Sequence, residues 1–215
     1  MIKKNLKALI ISSVIILLPI AAGLLLWDQL PERFATHWGV DGQPDGWAGK
    51  PMAVFGMPLF ILAVQWFGTL VTAADPKNKN QTNKAFTVVL WITPAISLLG
   101  AGMIYGTALG MEIHVNMLMP IFMGILFLLV GNYLPKCKQN HTIGIKLPWT
   151  LDNEENWNAT HRLGGKVWVA AGVLMLLCAF LPESWNVAGV FVVTVAAAVI
   201  PCVYSYLYYR KQAEK

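Results

Sequence analysis

The chain has 215 residues, 56% of them hydrophobic and 13% charged, with a formal net charge of +5. Soluble domains carry roughly 25% charged residues, so an ordinary soluble domain is excluded. The apolar residues fall in blocks of about 20, enough to cross roughly 30 Å of hydrocarbon, where a segment must satisfy its own backbone hydrogen bonds. The fold class that follows is all-α: one integral-membrane domain over residues 1–215, a polytopic bundle of six transmembrane helices.

Residues 1–7 are basic, with Lys3, Lys4 and Lys7, and residues 8–27 form the first span. That run is too long for a signal-peptide core and no A-x-A cleavage site follows it, so it reads as a membrane helix. Pro19 inside it is tolerable where a neighbouring helix satisfies the carbonyl that the ring frees. Residues 28–50 are a polar loop. Pro51 opens the second span, 51–73, at a position where a missing N–H costs little. A short hydrophilic loop at 74–84 precedes the third span, 85–109, and a turn at 110–116 precedes the fourth, 117–134. A long loop at 135–162 leads to the fifth span, 163–181, and a tight turn at 182–186 to the sixth, 187–206. Arg210, Lys211 and Lys215 mark a basic tail.

With the N-terminus in the cytoplasm, the cytoplasmic segments hold 14 of the 16 basic residues, and the outer loops only Arg33 and Lys50. This positive-inside pattern puts both termini and the 135–162 loop in the cytoplasm and the 28–50 loop outside. The same distribution argues against nucleic acid as a direct partner. The basic residues sit beside span ends, where they meet anionic headgroups of the lipid bilayer, and no basic face with interleaved aromatics remains. Cys137, Cys178 and Cys202 form no even, spaced set, so no disulfide framework is expected.

No Asp, Glu, Arg or His lies in a span core, which weighs against an ion-coupled transporter. A small-solute carrier or channel would have to rely on Gln65, Asn132 and the span Ser and Thr residues. Interhelical hydrogen bonding is the plainer role for them. Gly68, Gly100, Gly102, Gly106 and Gly124 are expected to permit close helix approach, and residues 102–106 carry a G-x-x-x-G spacing.

The outer loop contains L-P-E-R-F-A-T-H-W-G-V-D-G-Q-P-D-G-W-A-G-K-P at residues 30–51. V-D-G-Q and Q-P-D-G are turn signals, because proline fixes φ and glycine accepts a positive one. The Phe34-to-Trp38 stretch reads as a short strand or an interfacial helix. His37, Asp41 and Asp45 share a face only on a helix, which Gly39, Gly42 and Pro44 break. D-x-G-x-x-D-G echoes a calcium loop but lacks its closing Glu. A folded turn with solvated acids, anchored by Trp38 and Trp47 at the membrane surface, is preferred to a metal site. The functional alternative is a platform for an extracellular ligand, faced by Phe34, His37, Trp38, Asp41, Asp45 and Trp47.

In the inner loop, Cys137, His141 and His161 with Glu154 or Glu155 match no strong zinc spacing. A Cys–His nucleophilic pair would need an orienting group and an oxyanion site that are not legible. No phosphate loop, metalloprotease or hydrolase motif is present, so no catalytic residue, metal or cofactor is expected. Thr150, Asp152 or Asn153 fits a helix N-cap, with acids in the first turn where the helix dipole favours them. The expectation is a short amphipathic helix over 153–160 on the inner surface. Trp149, Trp157 and Trp168 would then sit at headgroup level, and Arg162 would pair with Glu154 or Glu155.

Three stretches together carry a family resemblance: N-H-T-I-G-I-K-L-P-W-T-L at 140–151, W-N-A-T-H-R-L-G-G-K-V-W at 157–168, and the 30–51 segment. The chain resembles the SdpI family, membrane immunity proteins of bacteria that secrete a cannibalism-type toxin. The 30–51 segment looks like a widespread N-terminal module of unknown activity. On this reading the module spans about 8–73 and the SdpI-like module about 117–207. The inner motif is matched at Asn140, Gly144, Pro148, Trp149, Thr150, Trp157, Arg162 and Gly165. With His141 and His161, the loop members of that set are the candidate face for a cytoplasmic partner. The resemblance implies no catalysis. It implies protection from a secreted peptide toxin in a multi-pass plasma membrane protein, and sensing coupled to a small winged-helix autorepressor held at the membrane. A small-solute transporter or channel stands second, and a membrane enzyme using Cys137, His141 and His161 third.

Overall fold

The structure is a computed structural model that describes residues 2–80 and 83–214. Six helical segments in it are long and apolar enough to cross a membrane. The order is α1 (Ile2–Leu25), a hairpin of β1 (Arg33–Trp38) and β2 (Pro44–Gly49), then a π-helical turn (Met52–Gly56) running into α2 (Met57–Ala74). There follow α3 (Asn83–Ala108), α4 (Val115–Tyr133), the one-turn α5 (Pro148–Asp152), α6 (Glu154–Cys178) and α7 (Glu183–Ala213). The expected spans all appear. The strand alternative for the Phe34–Trp38 stretch is the one realised.

The fifth helix departs from expectation. The expected 153–160 helix is not a separate element: α6 starts at Glu154 and continues without a break to Cys178. Asn153 caps it, its side chain accepting the Asn156 N–H at 2.8 Å. Gly164 and Gly165 do not interrupt it, because their missing side chains make room for Ile145 and for Pro135 with the Gly131 carbonyl.

The helices and hairpin fall into two compact units, residues 1–70 with 89–115 and residues 71–88 with 116–215. In the first, a buried polar chain crosses the apolar helices. Gln65 Nε2 donates to the Ser12 and Ser13 hydroxyls at 3.1 Å, and its Oε1 accepts from Thr93 at 2.6 Å. Ser97 and Tyr105 donate to the Ile16 and Pro19 carbonyls, on the turn that Pro19 interrupts. Each donor would be costly to leave unpaired in hydrocarbon, so these bonds fix which helix faces meet. Gly23 lies against Tyr105 and Val54. Gly68, Gly100 and Gly102 face open space, and Gly106 meets its own following loop at Ile113. The G-x-x-x-G spacing is therefore not a packing seam here.

In the second unit the close approach is between α4 and α6. A Cβ on Gly124 would stand 2.8 Å from the Gly172 carbonyl, and one on Gly172 2.7 Å from the Gly124 carbonyl. Gly131 and Gly165 repeat the arrangement at 3.0 and 2.8 Å. Backbone touches backbone at both points. Trp168 stacks on Phe127, ring centroids 4.6 Å apart, and donates to the Ala197 carbonyl. Met175, Ala171 and Ala197 complete that core.

Candidate functional site

The 137–153 loop is a polar structure folded onto the first turns of α6. Asn140, fully buried, is its hub. Its Oδ1 accepts the Thr142 and Ile143 N–H groups at 2.8 and 2.6 Å, and its Nδ2 donates to the Lys138 and Ile143 carbonyls at 2.8 Å. One side chain thus closes the turn from both directions, its amide offering two donors and an acceptor oxygen. Thr150 works similarly at α5. Its hydroxyl accepts the Leu147 N–H at 2.9 Å and donates toward the Ile145 and Leu147 carbonyls.

The loop is pinned to α6 by Trp157 and His161, both buried and stacked at 4.0 Å. Trp157 donates to the Cys137 carbonyl at 2.8 Å. His161 Nε2 accepts the Ile145 N–H at 2.9 Å, and Nδ1 faces the Trp157 carbonyl at 2.8 Å. Because Nε2 accepts the Ile145 N–H, the tautomer is fixed: the ring is neutral with its proton on Nδ1, donated to the Trp157 carbonyl. Gly144 passes directly over this pair with φ +122, and a Cβ there would lie 2.4 Å from Nε2.

The 74–80 turn also takes part, which the sequence reading missed. The Asp75 carboxylate accepts the His141 N–H at 2.8 Å and the Lys77 N–H at 3.0 Å. Asn78 donates to Thr142 Oγ1 at 2.6 Å and to the Thr72 carbonyl at 2.8 Å. On the other flank, α7 contributes Ser205. It bonds both Trp149 Nε1 at 2.7 Å and Asn156 Oδ1 at 2.8 Å, and Asn156 also accepts from Thr160. The signals available were Asp75 before a proline, a common turn initiator, and Ser205 inside an aromatic run.

Both comparisons of sequence agree with this architecture. Residues 136–205 match the model of the SdpI/YfhL protein family, and residues 14–62 match a domain of unknown function, DUF1648. A relative named Immunity protein SdpI, from Bacillus subtilis (strain 168), is 29% identical over 213 residues, covering 97% of each chain. The chain is thus similar to the SdpI family over its 136–205 segment. It is a multi-pass plasma membrane protein. No solved structure matches it.

The candidate loop residues divide by burial. Asn140, Thr150, Trp157 and His161 are buried and shape the loop, whereas His141, Pro148 and Arg162 are exposed and Trp149 and Gly144 half-buried. Trp157 is therefore not a headgroup anchor. Its indole is buried in the fold, donating to the Cys137 carbonyl and stacked on His161. Trp168 is packed in the core, and Trp149 stacks on Tyr209 while bonding Ser205. Arg162 donates through Nε to the Asn158 carbonyl, while Glu155 accepts from Gln212 of α7, so the expected Arg–Glu pair does not form. Burial pushes the Cys137 thiol up to about 11, the wrong direction for a nucleophile. No His, Cys, Asp and Glu cluster with metal-holding geometry occurs among the described residues.

The hairpin is the second candidate. Phe34 is not on its outer face but in its core, edge-on to Tyr105 and packed with Leu30, Ala53 and Val54. Lys50 is buried at the hairpin base. It donates to the Trp27 carbonyl at 3.1 Å, pairs with Glu32 at 3.0 Å and lies over the Trp27 ring. This clamps the strands to the end of α1. At the tip, Asp41 accepts the Gln43 N–H, and Gly42 takes φ 69. His37 bonds Asp45 across the strands, and both are exposed. Trp38 is half-buried and Trp47 exposed. Asp41 is thus used by the turn itself, and Asp45 by the strand pair.

Proposed function

We propose that this protein confers immunity on its host bacterium against a secreted antimicrobial peptide. The observation that carries the reading is end-to-end similarity to a protein named for immunity, spanning both the hairpin and the loop. The hairpin side faces outward and meets the peptide, as the basic-residue distribution supports. The 137–153 loop faces the cytoplasm, and its exposed members His141, Lys146, Pro148 and Arg162, with half-buried Trp149, form the surface for a cytoplasmic partner such as a small repressor. The protein acts by binding and not by catalysis. Cys137 is buried as a thiol, and both His161 nitrogens are engaged. The transporter reading is not favoured, since Gln65 spends both its donor and its acceptor between helices.

The test is survival. A toxin-sensitive bacterium expressing the chain is challenged with purified secreted antimicrobial peptides, and at least one should be tolerated at doses that kill the empty-vector strain. Sensitivity equal to the vector across the panel would overturn the reading.

A further inference from the structure

The hairpin has an unused edge whose chemistry specifies what would pair with it. The Lys50 N–H donates to the Glu32 carbonyl at 3.0 Å, and Arg33 is opposite Gly49 and Phe34 opposite Ala48. In an antiparallel ladder, residues alternate between hydrogen-bonded and non-hydrogen-bonded pairs. With Lys50 and Glu32 bonded, Ala48 turns its backbone groups toward β1, while Gly49 and Trp47 turn theirs away. Further along, His37 pairs with Gly46 and Trp38 with Pro44, so Asp45 is the extra residue of a bulge, and the outward-turned backbone groups are those of Trp47 and Gly49. Among the described residues the sheet has two strands, so β2 is an edge. No residue of β2 is buried, while Phe34 and Ala35 of β1 are.

The side chains of Asp45 and Trp47 stand on the same, exposed face as each other, and Gly49 beside them leaves room for a large neighbour. A strand paired to this edge would set its own alternate side chains beside Asp45 and Trp47. The segment's acids, Asp28, Glu32, Asp41 and Asp45, outnumber its cations Arg33 and Lys50; Glu32 is paired with Lys50, and Asp45 shares its carboxylate with His37 but stays exposed. We infer that the outer edge of β2 binds an extended peptide by strand addition, and that the peptide carries a basic residue and an apolar residue two positions apart, the first beside Asp45 and the second beside Trp47. Main-chain bonds to Trp47 and Gly49 give the affinity, and the two side-chain contacts give the selection. This deepens the immunity reading by naming the class of peptide: cationic, amphipathic and extended where it is held.

The full-length protein in zwitterionic nanodiscs, with empty nanodiscs subtracted, is titrated with the synthetic octapeptide Lys-Thr-Val-Thr-Lys-Thr-Val-Thr. Two isomers of it are compared, N-methylated on the Lys and Val residues or on the Thr residues. Binding is expected for the parent and for the Thr-methylated isomer, with a loss of about tenfold or more on Lys/Val methylation, which removes the N–H groups facing β2. A Glu-for-Lys octapeptide should bind about tenfold more weakly, and Asp45→Asn should erase much of that difference. Equal binding of the two methylated isomers, equal binding of the Glu peptide, or no binding above empty nanodiscs would each overturn the proposal. The survival assay separates the two readings. Protection that persists in Asp45→Asn/Trp47→Ala sinks the edge as the peptide site and leaves immunity standing, whereas edge binding without any protection sinks immunity alone.

Discussion

Gly144 is the residue at which the loop has least freedom. Its φ of +122 already strains any L side chain, and the space its Cβ would need is filled by His161 Nε2 and the Trp157 ring. Gly144→Ala should destabilise the loop by about 2–3 kcal/mol or more, the combined scale of backbone strain and overpacking. The measurement is thermal unfolding in detergent beside Gly110→Ala, whose Cβ meets nothing within 4 Å although its φ is +83. Only the clash distinguishes the two. Asn140→Asp is the companion change. It keeps the acceptors for Thr142 and Ile143 but turns a carboxylate oxygen on the Lys138 and Ile143 carbonyls, and the lost donors should cost about 2–4 kcal/mol. Cys137 gives a chemical readout. With the thiol moved from 9.0 to about 11, little thiolate exists at pH 8. Alkylation of the native protein should be slower than of the unfolded chain by about a hundredfold or more. The sign for stability follows: the unfolded thiol ionises first, so this group lowers stability as pH rises between about 9 and 11. Several of these residues were visible in the sequence as a motif, but their roles were not. Asn140 and Trp157 have the look of surface residues in a polar loop, and only the folded turn shows that the loop is its own interior.

At the scale of elements, the spans were legible because lipid leaves a helix no alternative to a long apolar run. Boundaries were less so. The fifth span was expected from Leu163, since Asn156, Thr160 and His161 are polar, yet α6 begins at Glu154 because the loop meets His161 and Ser205 of α7 meets Asn156, which in turn takes the Thr160 hydroxyl. The hairpin was legible as turns and not as a strand pair, since β2 (P-D-G-W-A-G) has no strand-like composition and is held by Lys50 at its base and Phe34 beneath. Glycines in spans were visible, but which ones matter was not. Spacing within one helix pointed to 102–106, while contact depends on the partner helix and selects Gly124, Gly131, Gly165 and Gly172. Gly131→Val should separate α4 from α6 and lower the unfolding temperature markedly, at a cost of about 2–4 kcal/mol, whereas Gly102→Val should be nearly silent. Parallel melting curves decide this.

For the whole molecule, the testable quantity is sidedness. In a variant lacking the three native cysteines, Gln43→Cys should react with a membrane-impermeant thiol reagent on intact cells and Lys146→Cys only after permeabilisation. The reverse labelling would invert the assignment of ligand and partner sides. Length points the same way for α7. Its 31 residues rise about 46 Å, well beyond roughly 30 Å of hydrocarbon, so its end extends past the lipid as a post. Trp149 is tied to that post at Ser205 and Asn153 at Gln212. The reciprocal glycine contacts set what such a scaffold can do mechanically. They recur seven residues apart on both α4 and α6, 124 against 172 and 131 against 165. A slide of α4 past α6 by one turn would bring Cβ atoms onto carbonyl oxygens at both points together. A one-turn shear along that seam is therefore opposed at two points, and the pair behaves mechanically as one strut.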